Sequence, residues 1–412
     1  MKKQKTVYPD LSDYQDKISK LKTYEDATDF VKSLVAPVLQ KMLDAEMNNH
    51  LGYRKYESEG KNSGNSRNGF SEKTLKTSEG NMPINIPRDR NGEFEPMVIP
   101  KYQTIPKDME QKIIAMYAKG LTTRDINAYM YDIYGVDVSA SLVSHITDSV
   151  MGELSDWQGR PLEKLYPIIY FDGIYFKVKK DNRVVNICAY VVLGINSAGH
   201  KEILGIWLGE SESSTFWMKV LDELKQRGVE EILIACVDGL NGFPEALEAT
   251  YPSTRMQRCI VHQVRNTLKF VPHKDKKEMV IQLQKIYTAS NEKQGLKALE
   301  EVESKFPKYS QALKSWRTNW TSLSTFFDYP SEIRKVIYTT NTIESLNRQL
   351  RKVTKTSVMF PNEKSLEKLL YLATRDISKK WSMPVHNWGV IFTQFSILFP
   401  EKNLIEKFSQ NY

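Results

Sequence analysis

The chain has 412 residues, too many for one compact core, and its 41% apolar and 26% charged content is ordinary for a folded protein of two to four domains. The longest apolar stretch, Val184 to Ile195, is too short to span a bilayer, and the basic start MKKQK leads into no apolar segment, so neither a membrane protein nor a signal peptide is expected. Three cysteines cannot build a disulfide framework, which fits a reducing cytoplasm, and a net charge of +8 favours a polyanionic partner without identifying one.

Residues 26 to 51 predict a helix, with Phe30, Val31, Leu34, Val35, Val38, Leu39, Met42 and Leu43 at three-to-four spacing and Pro37 as a point of kinking. The following GYRKYESEGKNSGNSRNG reads as an exposed loop or hairpin, whose Arg54, Lys55, Lys61 and Arg67 either meet phosphate or face solvent. Ile84, Ile86, Val98 and Ile99 lie among Pro83, Pro87, Pro96 and Pro100, which restricts this stretch to short or edge strands. Residues 107 to 150 predict three helices, punctuated by Gly120 and Gly135 and capped by Thr122 or Thr123 and by Ser139. The pattern suits a helix-turn-helix whose third helix offers Ser141, Ser144 and His145 to the major groove, and equally a plain three-helix bundle.

From residue 167 the pattern changes to three strands, a helix, a strand, a helix and a strand: PIIYFD, RVVNICAYVVLGI and KEILGIWLG, then SSTFWMKVLDELKQRG, EEILIACVDG and TRMQRCIV. This is a mixed α/β domain. Residues 275 to 328 then show helical spacing only, at Met279, Leu283, Ile286 and Tyr287 and at Leu296, Leu299, Val302 and Phe306, and read as a helical insertion. Helices return over 340 to 356 and 364 to 381. The predicted segments are 1–51 (helical), 52–101 (small and strand-rich), 102–160 (helix-turn-helix-like) and 161–412 (α/β, with the insertion at about 270–335).

Asp172 and Asp238 each follow an apolar strand and precede glycine, which predicts two carboxylates at strand carboxyl ends, where open α/β sheets place their sites. A third acid on a nearby helix would complete an oxygen-ligand set for hard divalent cations. Glu344 fits, although Asn341-Thr342-Ile343-Glu344 also has capping-box spacing. At about 100° per residue, Arg348, Arg351 and Lys355 fall within roughly 40° of Glu344, while Leu346, Leu350 and Val353 lie on another side. One acid followed by three bases suits a cation beside a phosphate backbone; pairing of Glu344 with Arg348 along the helix is the ordinary alternative. Two Mg²⁺ ions about 3.5 to 4 Å apart activate the attacking oxygen and stabilise the leaving one in phosphodiester chemistry.

Other candidates have competing readings. Cys259 and His262 form half a zinc site with no visible second pair; His262 otherwise orients a group near the acids or meets phosphate. Trp316 and Trp320 read as core packing, with stacking on a splayed base as the alternative for either. Arg334 and Lys335 read as basic residues along a nucleic-acid path.

At these residues the sequence resembles the Mutator superfamily of DDE transposases, in its bacterial insertion-sequence branch. The resemblance covers nearly the whole chain and is carried by NSRNGF, IPRDRNGEFEP, GLTTRDI, YFDGIYFKV, KEILGIWLGESESSTFW, VDGLNGFPEAL, QRCIVHQVRN and YTTNTIESLNRQLRK. It implies a ribonuclease H-like catalytic domain with an all-helical insertion, behind a mostly helical N-terminal DNA-binding region. It further implies Asp172, Asp238 and Glu344 as the acidic triad, a basic residue seven positions after the glutamate (Arg351), and a Cys-x-x-His pair (Cys259 and His262). The expected cofactor is two Mg²⁺, replaceable by Mn²⁺. The expected partners are the element's terminal inverted repeats, target DNA and a second copy of the chain, in the bacterial cytoplasm at the nucleoid.

Overall fold

The computed structural model describes residues 12–57, 64–101, 103–338 and 341–404, with Asn341 described by its backbone alone. Lys61 and the residues just before Asn341 therefore lie outside the described residues, as does the capping role considered for the Asn341 side chain. Two compact units are present, one built from residues up to Tyr117 plus Leu121–Thr147, the other from Ala118–Gly120 plus the chain from Asp148 onward. No helix among the described residues is long and apolar enough to cross a membrane.

The first unit contains α1 (Gln15–Ile18), α2 (Tyr24–Leu51), the hairpin β1 (Arg67–Thr77) and β2 (Gly80–Asp89), then α3 (Lys107–Ala118), α4 (Thr123–Tyr134) and α5 (Ala140–Asp148). Helix α2 opens on a capping box between Thr23 and Asp26 and runs through Pro37 to a left-handed Gly52. Its Leu43 packs with Leu75, Met82, Ile84, Ile86 and Ile99. Strand β2 alternates buried Met82, Ile84 and Ile86 with exposed neighbours, and a two-stranded sheet has the free edges that Pro83 and Pro87 require. Thr122 caps α4 in a second capping box, Gly135 ends that helix in the left-handed region, and Ser139 Oγ accepts from the Leu142 amide at 3.2 Å. Ser141, Ser144 and His145 are exposed on α5.

Two basic residues expected in a solvated loop behave differently from each other. Arg67 is structural: its Nη2 donates to Asn48 Oδ1 at 2.5 Å and to the Tyr53 carbonyl at 2.8 Å, with the guanidinium over the Tyr53 ring. Arg54 is exposed. The loop after β2 is fixed by Asp89, which is buried and accepts from Asn65 Nδ2 (2.7 Å) and from the Glu93 and Phe94 amides (both 3.1 Å). Burial raises this carboxyl, but the three donors outweigh it and bring it down to about 2.

The second unit begins with α6 (Val150–Gly159), followed by β3 (Leu165–Lys180), β4 (Arg183–Ile195), β5 (Lys201–Gly209), α7 (Ser214–Gln226), β6 (Glu231–Val237), α8 (Phe243–Thr250), β7 (Arg255–Arg258) and α9 (Ile260–Lys269). Helix α6, grouped by sequence with the preceding helices, joins this unit because Gln158 accepts from the Ile206 amide and Arg160 pairs with Glu202 at 2.8 Å. The mixed five-stranded sheet has the order β5-β4-β3-β6-β7, with β3, β4 and β5 antiparallel and β6 and β7 parallel to β3. Ile169, Phe171, Tyr190, Trp217, Val220, Leu224, Val237, Phe243 and Leu247 form one buried cluster, which packs α7 and α8 on one sheet face. The insertion is helical throughout: α10 (His273–Tyr287), α11 (Glu292–Lys305), α12 (Ser310–Thr318), α13 (Trp320–Ser324) and α14 (Ser331–Tyr338) surround a core of their own. Helices α15 (Asn341–Thr354), α16 (Glu363–Ser378) and α17 (Trp388–Leu398) follow.

One expectation is corrected here. Asp172 does not close its strand: β3 continues eight residues further, paired with β4 from Gly173↔Tyr190 to Lys180↔Arg183. Gly173 makes no turn here and serves close approach within the ladder. A Cβ at this position would lie 2.6 Å from Cys188 Sγ and 3.4 Å from the Tyr190 ring.

Two outcomes follow from these contacts. Gly173→Ala should lower stability by about 1–3 kcal/mol through overpacking, and Cys188→Ala in the same chain should recover part of that loss. Additive effects in denaturant unfolding would show that the methyl does not meet the thiol. Asp89, depressed in the folded state, contributes stability that is complete above its unfolded pKa of about 3.9 and is lost as pH falls toward 2. The Tm advantage of the native chain over Asp89→Asn should therefore be full at pH 7 and shrink between pH 4 and pH 2.

Candidate active site

The parallel pairing of β3 with β6 ends at Phe171↔Val237. Both residues point into the cluster on the α7/α8 face, so the next residue of each segment emerges on the opposite face. Those residues are Asp172 and Asp238, one rung onward and a strand spacing of about 4.8 Å apart. After Asp238 the backbone turns at Gly239, with φ +48°, and Arg258 Nη2 occupies the space a Cβ would take there. Here the Asp-Gly pair does make a turn.

His262 brings an imidazole to the two acids. It lies in the first turn of α9, with Nε2 3.5 Å from Asp238 Oδ2, and ligand atoms of Asp172, Asp238 and His262 all fall within 4.8 Å of one another. Cys259, the other half of the Cys-x-x-His pair, is the N-cap of α9: its Sγ accepts from the His262 amide at 3.5 Å, and its own amide donates to the Val237 carbonyl at 2.8 Å. The spacing that resembles a zinc motif thus serves as a helix start, and Cys259 is absent from the candidate metal clusters among the described residues.

Helix α15 covers the same corner. Of the expected apolar stripe, Leu346 and Leu350 are buried and Val353 is half-buried; Ile343, outside that stripe, is buried as well. The residue that reaches Asp172 is Asn347, whose Nδ2 donates to Asp172 Oδ2 at 2.6 Å; Asp172 Oδ1 accepts from the Gly173 amide at 2.8 Å. Glu344, one turn earlier on α15, accepts from Arg265 Nη2 at 2.8 Å through Oε2. Its Oε1 is buried and has no hydrogen-bond partner among the described residues. Glu344 thus pairs across to α9 and not with Arg348 along its own helix. Arg348, Arg351 and Lys355 are exposed, with Lys355 just past the helix end, and the charge of Arg351 acts on Asp172.

Burial holds both aspartates above the ordinary carboxylate range. For Asp172, the nearby His262 charge opposes the rise and Asp238 adds to it; for Asp238, His262, Arg258 and Lys269 oppose it and Glu212 adds to it. One buried and one half-buried carboxylate side by side, with one imidazole and surrounding bases, are a site short of positive charge.

Other candidates sit elsewhere. Trp316 is buried with its Nε1 donating to Thr267, and Trp320 is half-buried against Phe327 with its Nε1 on Glu292 at 2.8 Å. Arg334, expected along a nucleic-acid path, instead clasps the insertion, donating to the carbonyls of Tyr329, Phe327, Ala289 and Ser290. Ser141 and Ser144 belong to the first unit. The sequence reading overlooked Asn347, Arg265 and Arg258. The first two carry a legible signal, since each stands three residues, one helical turn, after a residue already singled out, Glu344 and His262.

Comparison with known proteins agrees with the sequence resemblance. Residues 7–384 match the family described as Transposase, Mutator family. The probable transposase for insertion sequence element ISRM3-like of Sinorhizobium fredii (strain NBRC 101917 / NGR234) is 44% identical, covering 88% of this chain and 90% of its own length. The transposase for insertion sequence element ISRM3 of Rhizobium meliloti (strain 1021) is 42% identical over the same shares. The transposase for insertion sequence element IS905 of Lactococcus lactis subsp. lactis (strain IL1403) is 33% identical over 88% of this chain and 92% of its own length. With a family match across nearly its full length and relatives of this identity, the chain belongs to the Mutator family of transposases.

Proposed function

We propose that this chain is the transposase of a bacterial insertion sequence, cutting DNA at the element's terminal repeats and joining the freed 3′-hydroxyl to target DNA at one acidic site. The observation that carries the reading is the convergence of Asp172 in β3 with Asp238 just after β6, together with His262; Glu344 is outside that group and stands on α15 one turn before Asn347, which bonds Asp172. A ribonuclease H-like catalytic domain is part of the proposal. It is supported by the sheet order β5-β4-β3-β6-β7, with a helix after the third strand and a helical insertion before the glutamate helix.

The donor set fits a hard divalent cation. Asp172 and Asp238 present carboxylate oxygens held above their usual range by burial, and Glu344 Oε1 is a buried oxygen with no partner among the described residues. Asp172, Asp238 and Glu344 would hold two Mg²⁺ or Mn²⁺ ions, which when bound activate the attacking oxygen and stabilise the leaving one. The protein's own contribution is positioning and charge. Asn347 fixes the rotamer of Asp172, and His262 Nε2 sits against Asp238 Oδ2 and orients it. Arg351, Arg348 and Lys355 follow Glu344 along α15 and neutralise phosphates of the strand being cut. DNA-end recognition is assigned to the first unit, where α5 exposes Ser141, Ser144 and His145; end synapsis calls for at least two copies of the chain.

Asp172→Ala, Asp238→Ala and Glu344→Ala should each lower cleavage of an end oligonucleotide by at least about 10³-fold, with end binding within about twofold of the native chain. A variant that still cuts at native rate takes its residue out of the site. Joined product in a strand-transfer assay separates a transposase from a nuclease that only cuts. Arg351→Ala should instead flatten the salt dependence of binding, by about 0.9 in slope for one lost phosphate contact.

The raised Asp172 has a stability consequence of opposite sign to that of Asp89. The folded, cation-free protein keeps a proton that the unfolded chain releases, so ionising Asp172 costs stability once pH rises past the unfolded value of about 3.9 toward the folded value of about 6. Asp172→Asn should therefore melt higher than the native chain at pH 8, the gap closing as pH falls from 6 to 4. Added Mg²⁺ should raise the Tm of the native chain and leave Asp172→Asn unmoved.

A further inference from the structure

The contact between α9 and α15 at the site is an ion pair that a divalent cation would disrupt. Arg265 stands one turn after His262, and its Nη2 donates to Glu344 Oε2 at 2.8 Å. The two partners differ in setting: the Glu344 side chain is 14% exposed and that of Arg265 is 51% exposed. A carboxylate that far from water needs a counter-charge, and Arg265 supplies it. A cation held by the same carboxylate would repeat that charge within a few ångströms, and the guanidinium, with half its surface already in solvent, is the group free to leave. Its surroundings are basic: Lys269 follows one turn later on α9, and Lys269 and Arg258 both act on Asp238. A guanidinium released among them has an anion as its natural next partner, and its planar donors suit a phosphodiester oxygen.

We propose that Arg265 is an exchange residue. It holds Glu344 in position while no cation is bound, and passes to the DNA backbone when a cation takes the carboxylate. This rests on the reading of Asp172, Asp238 and Glu344 as the cation site. Because one side chain serves both partners, cation binding and backbone binding favour each other, and by linkage each raises the affinity of the other by the same factor. Arg265 is a positioning residue for Glu344 and acts on the reaction only through it and through the phosphate.

The test uses the full-length chain with Mn²⁺ as the probe, titrated by calorimetry without DNA, and a terminal-repeat duplex titrated with and without Ca²⁺. Arg265→Gln should bind Mn²⁺ about 3- to 10-fold more tightly than the native chain, a range that corresponds to roughly 0.7–1.4 kcal/mol of released competition. It should also lose the cation-dependent gain in duplex affinity, with its salt slope lower by about 0.9 only when Ca²⁺ is present. Arg265→Lys, which keeps the charge, should stay near the native chain in Mn²⁺ affinity, and circular dichroism should show both variants folded. Unchanged or weaker Mn²⁺ binding by folded Arg265→Gln overturns the exchange, as does a native duplex affinity that ignores Ca²⁺. Asp172→Asn separates this failure from that of the underlying reading: if it binds Mn²⁺ as the native chain does, the acidic site itself is wrongly assigned. If it loses Mn²⁺ while Arg265→Gln behaves as native, only the exchange fails.

Discussion

The parallel register between β3 and β6 is the constraint on which the site depends. Once Phe171 and Val237 are paired and turned into the α7/α8 cluster, period-two alternation puts the following residues, Asp172 and Asp238, together on the other face. A slip of one residue would bury one of these carboxylates among Trp217 and Phe243, and the apolar weight of that cluster is what prevents it. Stability and chemistry here draw on the same rung of the sheet: the aromatic packing on one face dictates an electrostatic arrangement on the other that would not form by itself.

That arrangement is unfavourable without outside charge, and the surrounding residues can be understood as responses to it. Asn347 gives Asp172 a donor, His262 stands against Asp238, and Arg265 answers Glu344. Each comes from α9 or α15, helices that enter the corner from different parts of the chain. The helical insertion lies between them in sequence, with a core of its own built on Met279, Leu283, Leu299, Leu313 and Trp316. It separates the two helices by more than seventy residues of chain while leaving them joined by the Arg265–Glu344 pair.

Much of this was legible before any coordinates. The first four strands follow from apolar runs; of the expected fifth, TRMQRCIV, only Arg255–Arg258 is strand, and Ile260 and Val261 open α9. The amphipathic stripe of α15 follows from the spacing of Leu346 and Leu350. The end of β3 was misplaced at Asp172 because the apolar run stops there, while the strand goes on as an alternation of buried and exposed residues paired with β4. Arg334, expected along a nucleic-acid path, holds backbone carbonyls, and a basic residue among aromatics looks alike in sequence whether it meets phosphate or carbonyls. Cys259 shows the limit of motif spacing: a three-residue interval suits a metal site and also one helical turn behind a cap. Asn347 went unnoticed because amides carry no charge to count, although its distance from Glu344 was enough to predict a shared face.

The continuation of β3 past Asp172 bears on how the three acids can adjust. Asp172 is stitched into a ladder with β4 that extends well beyond it, and Asp238 leaves β6 directly at a rung of the same sheet. These two form the stationary jaw of a clamp. Glu344 is carried on a separate helix, which bonds β3 through the Asn347 side chain, so a shift of Glu344 breaks no backbone hydrogen bond of the sheet. Under the proposed function, which has one centre use first water and then a DNA end as nucleophile, having the third acid on a separate helix concentrates the compliance in one arm.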